Sequence, residues 1–119
     1  YRGPMEKFVL HMANKSEWEK ARNSGEYLHE SLELEGFIHC STASQVVKVS
    51  NLFLKGNSDL VLLQIESSKI KSELKFDYVE AMKESFPHIY GPLNVDAVIA
   101  EHEFQPQADG TFVLPKALQ

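Results

Sequence analysis

The order of apolar and polar residues predicts a domain with two helices near its beginning and mainly strands after them. Residues 7–12 have the composition of a short strand. Asn14, with Glu17 three residues later, matches the pattern of a helix start, and this helix should extend to about Asn23. Gly25 stands where a left-handed residue often ends a helix.

A second strand and a second helix are predicted next. Residues 37–40 form the strand, and Thr42 with Gln45 three residues later predicts the start of the helix. The spacing of apolar residues along this helix predicts a buried stripe made of Val46, Val49 and Phe53.

The remaining pattern is that of strands and turns. Residues 60–65 are apolar enough for the middle of a sheet, and the alternating residues 74–79 are the predicted partner strand. Residues 96–104 form another strand, and Asp109 with Gly110 predicts a hairpin turn into a strand at residues 111–114. This order favours a small α+β domain over alternating βαβ units.

Composition narrows the class of protein. The chain has 119 residues, enough for one domain, and its 12 basic against 17 acidic side chains give a net charge of −5. We therefore do not expect a nucleic-acid partner, because the basic residues are few and scattered. Residues 1–4 precede Met5 and are interpreted as a cloning remnant, so that residues 5–119 form the single domain.

The absence of certain segments predicts a location. The longest apolar run, residues 60–63, is far shorter than a membrane span, and no leader opens the chain, so we expect a soluble protein with no membrane partner. Cys40 is the only cysteine, which excludes an intramolecular disulfide and favours the cytoplasm. The sequence leaves the oligomeric state open.

Three histidines are candidates for a functional site. His11, His39 and His88 lie in apolar or proline-fixed segments, where each ring nitrogen needs a partner or a ligand. A metal site is not predicted, because the histidines lack the close spacing of the known zinc-binding motifs. Glycine-rich phosphate-binding motifs are also absent, so any nucleotide must be held in another way.

The residues around His39 offer several kinds of chemistry. Cys40 follows it directly, and neighbours in a strand point to opposite faces, so that Cys40 packs in the core if His39 faces a site; a catalytic thiol is the alternative. Ser41 and Thr42 cap the next helix and can also contact an anionic ligand at its amino end. Tyr90, near His88, has an aromatic face able to stack on a base.

Two segments resemble the signatures of the domain of unknown function 952 family. They are residues 35–42, with the sequence Glu-Gly-Phe-Ile-His-Cys-Ser-Thr, and residues 86–93, with the sequence Phe-Pro-His-Ile-Tyr-Gly-Pro-Leu. The resemblance extends over about residues 8–112. It implies an ADP-ribosyltransferase-like fold, with a curved, split antiparallel sheet whose cleft accepts NAD. It also implies that His11 contacts the nicotinamide-side ribose and that Ser41 and Thr42 lie near ribose or phosphate.

The residues and the resemblance together suggest an enzyme that uses NAD or processes ADP-ribose, either a transferase or a hydrolase. His39 and His88 are its candidate catalytic residues, with ligand contacts from His11, Ser41, Thr42 and Tyr90. One alternative is a module that binds a nucleotide or another small metabolite without turnover. Another is a structural or partner-binding domain in which the histidines hydrogen-bond to the backbone.

Two departures from the family pattern bear on catalysis. Ala13 stands where family members usually carry a hydroxyl, two residues after the first-strand histidine. The glutamate that would stabilise positive charge on the ribose is also not identified by a motif. Glu66, Glu101 and Glu103 are candidates for it, whereas Glu33 and Glu35 are expected to belong to a solvated acidic loop.

Overall fold

The structure, a computed structural model, describes residues 6–119, in which eight strands, three α-helices and three short 3-10 helices follow one another along the chain. Residues 1–4, interpreted as a cloning remnant, lie outside the described part. The strands are β1 (Phe8–Asn14), β2 (Glu26–Tyr27), β3 (Ile38–His39), β4 (Leu60–Glu66), β5 (Glu73–Val79), β6 (Glu84–Tyr90), β7 (Leu93–Asn94) and β8 (Val98–Glu103). The helices are α1 (Lys15–Ser24), α2 (Ser31–Leu34) and α3 (Val46–Phe53).

The strands form three separate antiparallel sheets. The first has the order β1-β4-β8, the second pairs β2 with β7, and the third has the order β3-β6-β5. Together with the helices they confirm the predicted α+β class. The predicted helices are present as α1 and α3, and the single turn α2 lies between them.

Helix α1 begins and ends where its sequence predicts. The side-chain oxygen of Asn14 accepts hydrogen bonds from the backbone N–H groups of Ser16 and Glu17, which satisfies two free donors of the first turn. Gly25 follows the helix with a φ of 93°, a conformation that glycine adopts without strain.

Helix α3 differs from the prediction in its start and in its buried face. The Gln45 side chain accepts the Thr42 N–H at 3.0 Å, which is half of a capping box, but the regular helix begins only at Val46. The predicted stripe is wrong at Phe53, which is 67% exposed. The buried residues are Val46 and Ser50, because this short helix rests on the first sheet along an i, i+4 row.

Strand β5 has a different partner from the one predicted. It pairs with β6, whereas β4 pairs with β1 and β8. A four-residue loop joins β5 to β6, and Lys83 in that loop adopts a φ of 54° that completes the turn. Strand β4 is the central strand of the first sheet, with β1 on one side and β8 on the other, so neither of its sides is free for β5.

The predicted strand at residues 111–114 is also absent. The turn at Asp109 and Gly110 is present, with the Gln107 N–H donating to the Thr111 carbonyl. Beyond it, Phe112 stacks on Phe104 with ring centroids 4.6 Å apart, and its N–H donates to the Asn51 side chain. Side-chain packing and this hydrogen bond replace a strand ladder.

Strands β1 and β4 of the first sheet are buried on both faces, whereas alternate residues of the edge strand β8 are exposed. One face packs with α1 and with the third sheet, in a core that includes Val9, Leu63, Trp18, Ile38 and Ile89. The other face packs with α3 and the carboxyl-terminal segment, in a core that includes Leu10, Leu62, Val46, Phe104 and Phe112. The third sheet thus has one face in the core, through Ile38 and Ile89, and its other face carries His39 and His88.

Gly91 ends β6 beside Tyr90 and should tolerate no side chain. Its φ is +151°, and an added Cβ would lie 2.5 Å from Ser72 Oγ. We expect Gly91→Ala to lower the free energy of unfolding by about 2–3 kcal/mol, measured by urea denaturation. Gly36→Ala is the matched control, because Gly36 also has a positive φ of +89° but open space around it. The control should lose only about 1 kcal/mol, and equal losses would contradict the steric argument.

Candidate functional site

His39 and His88 lie directly opposite each other on β3 and β6. Their ring centroids are 5.3 Å apart, with the ring planes nearly perpendicular at 85°. The two side chains differ in environment, since His39 is 52% exposed and His88 only 4% exposed. The pair therefore has one histidine that a ligand can reach and one that is held inside.

Phe37 covers the buried histidine. Its ring stacks on that of His88 with centroids 3.9 Å apart and lies 5.0 Å from His39 and 5.3 Å from Tyr90. Gly36, with its positive φ, turns the chain out of α2 immediately before Phe37. The glycine of the Glu-Gly-Phe-Ile-His segment thus serves to place an aromatic ring over a histidine.

Asp77 fixes the tautomer of His88. Its Oδ2 accepts from His88 Nδ1–H at 2.8 Å and also from the Tyr90 hydroxyl. These two hydrogen bonds, from Tyr90 first and His88 second, hold the pKa of Asp77 below its usual range, while the bond to Asp77 raises the pKa of Tyr90. Burial lowers the pKa of His88 although Asp77 opposes this. His88 is therefore neutral at pH 7, with a lone pair on Nε2.

Glu35 is the carboxylate partner of His39. His39 Nε2–H donates to Glu35 Oε2 at 2.9 Å, and this hydrogen bond lowers the pKa of Glu35. Both side chains are about half exposed. When the imidazole is neutral, the bond to the carboxylate leaves the lone pair on Nδ1, which is then free to accept a proton. We refer to Glu35, Phe37, His39, Asp77, His88 and Tyr90 as the His39–His88 site.

His11 lies beneath this site and does not face it. Its Nδ1–H donates to the His39 carbonyl at 2.6 Å, and its Nε2 accepts from the Tyr27 hydroxyl at 2.9 Å. The carbonyl can only accept, which assigns the hydrogen to Nδ1. The ring is 4% exposed, and burial lowers the pKa of His11 to about 4. His11 thus touches the site through the His39 backbone, with both nitrogens already used.

Ser41 and Thr42 make their hydrogen bonds within the protein. Ser41 is 2% exposed, and its backbone exchanges two hydrogen bonds of 2.8 Å with Leu10. The Thr42 N–H donates to Gln45, whose own amide donates to the Glu84 carboxylate at 3.0 Å. A carboxylate beside this helix start disfavours an anionic ligand there, so we leave these two residues out of the site.

Cys40 and the predicted glutamates also lie outside the site. Cys40 is 4% exposed, and burial raises the pKa of its thiol, as expected for a residue packed in the core. Glu101 lies 3.8 Å from Arg22 of α1, and Glu66 pairs with Lys69. Both belong to the first sheet, and Glu103 lies on the same strand as Glu101.

Two carboxylates do reach the histidines: Glu35, which the sequence interpretation assigns to a solvated acidic loop, and Asp77, which it does not single out. Glu35 precedes His39 by four residues, a separation that the turn after α2 brings within hydrogen-bond distance. The four-residue spacing of Glu35 and His39 is therefore a signal that the sequence alone contains. Asp77 could be found only from the pairing of β5 with β6, which the sequence interpretation assigned wrongly.

Two grooves of the surface lie elsewhere. A groove of about 830 Å³ is lined by Phe8, Ser67, Ile70, Leu74 and Ile99 among others, and none of the site's histidines lines it. Within residues 6–119, no group of three or more His, Cys, Asp or Glu side chains is arranged to hold a metal ion. No helix in that part of the chain has the length and apolar character needed to cross a membrane. A ligand at the His39–His88 site would meet the half-exposed side chains of His39 and Glu35.

Comparisons with known proteins identify relatives but no activity. A family model described as "Protein of unknown function (DUF952)" matches residues 12–101. The crystal structure of protein CC0527 from Caulobacter crescentus is similar to this chain, with a TM-score of 0.83 and 28% identity over 93% of this chain and 97% of that one. The solution NMR structure of CC0527 gives a TM-score of 0.77 at 28% identity, covering 88% and 90%. No curated protein matches the chain.

The buried state of His11 predicts a pH-dependent stability. Because the pKa of His11 falls from 6.5 to about 4 on folding, His11 binds a proton between these pH values in the unfolded chain but not in the folded protein. The free energy of unfolding has its full contribution from neutral His11 above pH 6.5, and it should decrease by about 3 kcal/mol as the pH falls to 4. Urea denaturation at a series of pH values measures this loss. His11→Asn should flatten that part of the profile, and an unchanged slope in the variant would contradict the assignment.

Tyr27→Phe tests the other hydrogen bond of His11. The variant leaves the buried Nε2 without its donor while keeping the aromatic ring, so we expect a loss of about 1–3 kcal/mol in the free energy of unfolding. Tyr78→Phe is the control, since Tyr78 is 60% exposed and its hydroxyl is not buried. If both variants lost the same stability, the His11–Tyr27 bond would have no special role.

Proposed function

The chain belongs to the DUF952 family of proteins of unknown function, and we propose that it is an enzyme that uses NAD or processes ADP-ribose at the His39–His88 site. The observation that carries the proposal is the exposed His39–Glu35 pair beside a second, neutral histidine. The three antiparallel sheets and a histidine on the first strand also support an ADP-ribosyltransferase-like fold.

The Glu35 carboxylate and the His39 ring supply two complementary functions. Loss of nicotinamide from NAD breaks the glycosidic carbon–nitrogen bond and leaves positive charge on the ribose, which a nearby carboxylate stabilises. The acceptor oxygen, from water or another hydroxyl, then bonds to that carbon, and His39 Nδ1 accepts the proton it loses. Glu35 suits the first function because its lowered pKa keeps it ionised.

Phe37 and Tyr90 form the aromatic wall of the proposed ligand site. Phe37 is partly exposed and Tyr90 is 37% exposed, which leaves ring surface for a base. His88 is too buried to meet the acceptor directly, so we assign it the role of holding Phe37 and orienting the side chains around His39. His11 is a positioning residue that acts through the His39 carbonyl.

One observation favours the alternative of a binding module without turnover. Glu35 Oε2 and Asp77 Oδ2 are already hydrogen-bonded to histidines, and two grooves of the surface are lined by other residues. In this alternative the same surface holds a nucleotide, and the carboxylates serve only to orient the imidazole rings.

Titration with NAD, followed by amide resonances and by release of nicotinamide, separates these functions. Binding should shift resonances around His39, His88 and Tyr90. Glu35→Gln should retain binding but lower nicotinamide release at least about 100-fold, because the neutral amide cannot stabilise the ribose charge. His39→Ala should lower release by a similar factor.

His102→Ala is the matched control, because His102 lies on β8 and bonds to Gln64 outside the site. It should leave both binding and release unchanged. Saturable binding of intact NAD would support the module. No resonance shift at millimolar NAD would contradict both functions.

A further inference from the structure

Strand β5 forms one edge of the third sheet. Among the described residues it pairs only with β6, which leaves its other side open over seven residues. Two aromatic side chains on this strand are exposed, Phe76 at 42% and Tyr78 at 60%. An edge strand of this length with exposed aromatic residues is a template for pairing with another strand.

The direction of the unpaired backbone groups follows from Pro87. Phe76 lies opposite Pro87, which has no N–H, and the Pro87 carbonyl accepts the Cys40 N–H at 3.0 Å on the side of β3. Phe76 and Pro87 are therefore a non-hydrogen-bonded pair of the antiparallel ladder. The N–H and C=O of Phe76 point away from β6. The same holds two residues to either side, at Leu74 and Tyr78.

We propose that two copies of this chain associate by antiparallel pairing of their β5 strands, with Phe76 of one copy opposite Phe76 of the other. In this register Leu74 faces Tyr78, so the outward N–H and C=O groups of all three residues meet complementary groups. The exposed aromatic side chains then cover one another on one face of the joined sheet.

Charge selects this register over its neighbours. Lys75 of each copy lies opposite Asp77 of the other, which gives two attractive cross-strand pairs through the two-fold symmetry. Only every second residue of β5 has outward backbone groups, so a register that keeps the hydrogen bonds can differ from this one only by steps of two residues. One such step moves the two-fold axis by one residue along the strand, from Phe76 to Lys75 or to Asp77. Such a shift places Lys75 opposite Lys75, or Asp77 opposite Asp77, and like charges oppose pairing.

The association would bring a residue of the second copy to the site. Lys75 and Asp77 lie on the face of the third sheet that carries His88 and Tyr90, and Asp77 Oδ2 already accepts from both. The ammonium group of Lys75 from the second copy would lie next to this carboxylate. The pairing does not depend on the proposed enzyme activity, because it rests only on β5.

Sedimentation velocity of the full chain tests the proposal through paired charge reversals. The wild-type mass should rise above 13.5 kDa with concentration between about 10 µM and 1 mM, as expected for a small interface. Lys75→Glu and Asp77→Lys each turn two attractive pairs into two repulsive ones and should weaken association at least about tenfold. An equimolar mixture of the two variants restores both attractive pairs and should associate again.

Phe76→Pro provides a second test that leaves the charges unchanged. The Phe76 N–H points to the open edge, so proline removes a bond between copies and none to β6. This variant should stay folded by circular dichroism and monomeric at all concentrations. A wild-type protein that remains at 13.5 kDa at about 1 mM would overturn the proposal. So would association of the single variants as tight as that of the wild type, or a mixture of folded variants that stays monomeric.

Discussion

The three sheets of this protein meet at one buried imidazole. His11 belongs to the first sheet, the Tyr27 hydroxyl that it accepts from belongs to the second, and the His39 carbonyl that it donates to belongs to the third. Separation of any sheet would leave a buried polar atom without a partner, which costs about 1–3 kcal/mol. The relative placement of the sheets, and with it the position of His39, depends on this neutral ring.

This constraint explains why two histidines that face each other have different chemistry. The His11 bond holds the backbone of β3, so that the His39 side chain stands at the surface within reach of Glu35. His88 lies across from it but under Phe37, and burial keeps it neutral. One of the two facing positions therefore has a half-exposed histidine, and the other has a buried histidine that packs against Phe37.

The sequence predicted those features that depend on neighbouring residues. The cap at Asn14, the strand around His39 and the opposite orientations of His39 and Cys40 follow from local spacing, and the structure confirms them. The partner of β5 could not be obtained in this way, because β4 and β6 both adjoin it along the chain, and only the pairing of β4 with β1 and β8 decides between them. Asp77 was missed for the same reason, since it reaches His88 only through that pairing.

The burial of His11 shows a second limit of sequence interpretation. Its apolar neighbours in the sequence indicated that both ring nitrogens need hydrogen-bond partners, and a ligand or a protein group could supply them equally well. Only the positions of Tyr27 and of the His39 carbonyl decide between them, and these lie 16 and 28 residues away. The family signature placed His11 near the ribose of NAD, whereas the geometry gives it a role in support of the site.

Asp77 connects the interior of the site to the edge of its sheet. Its Oδ2 is committed to Tyr90 and His88, and these donors keep the carboxylate ionised. The second oxygen, Oδ1, has no hydrogen-bond partner among the described residues and belongs to a side chain that is 35% exposed. A positive charge brought to Oδ1 draws electron density from the carboxylate and weakens its bonds to the two inner donors. Association in the register that places Lys75 opposite Asp77 would therefore be coupled to the electrostatics of the site. By thermodynamic linkage, the factor by which association changes the affinity for a ligand is also the factor by which that ligand changes the association.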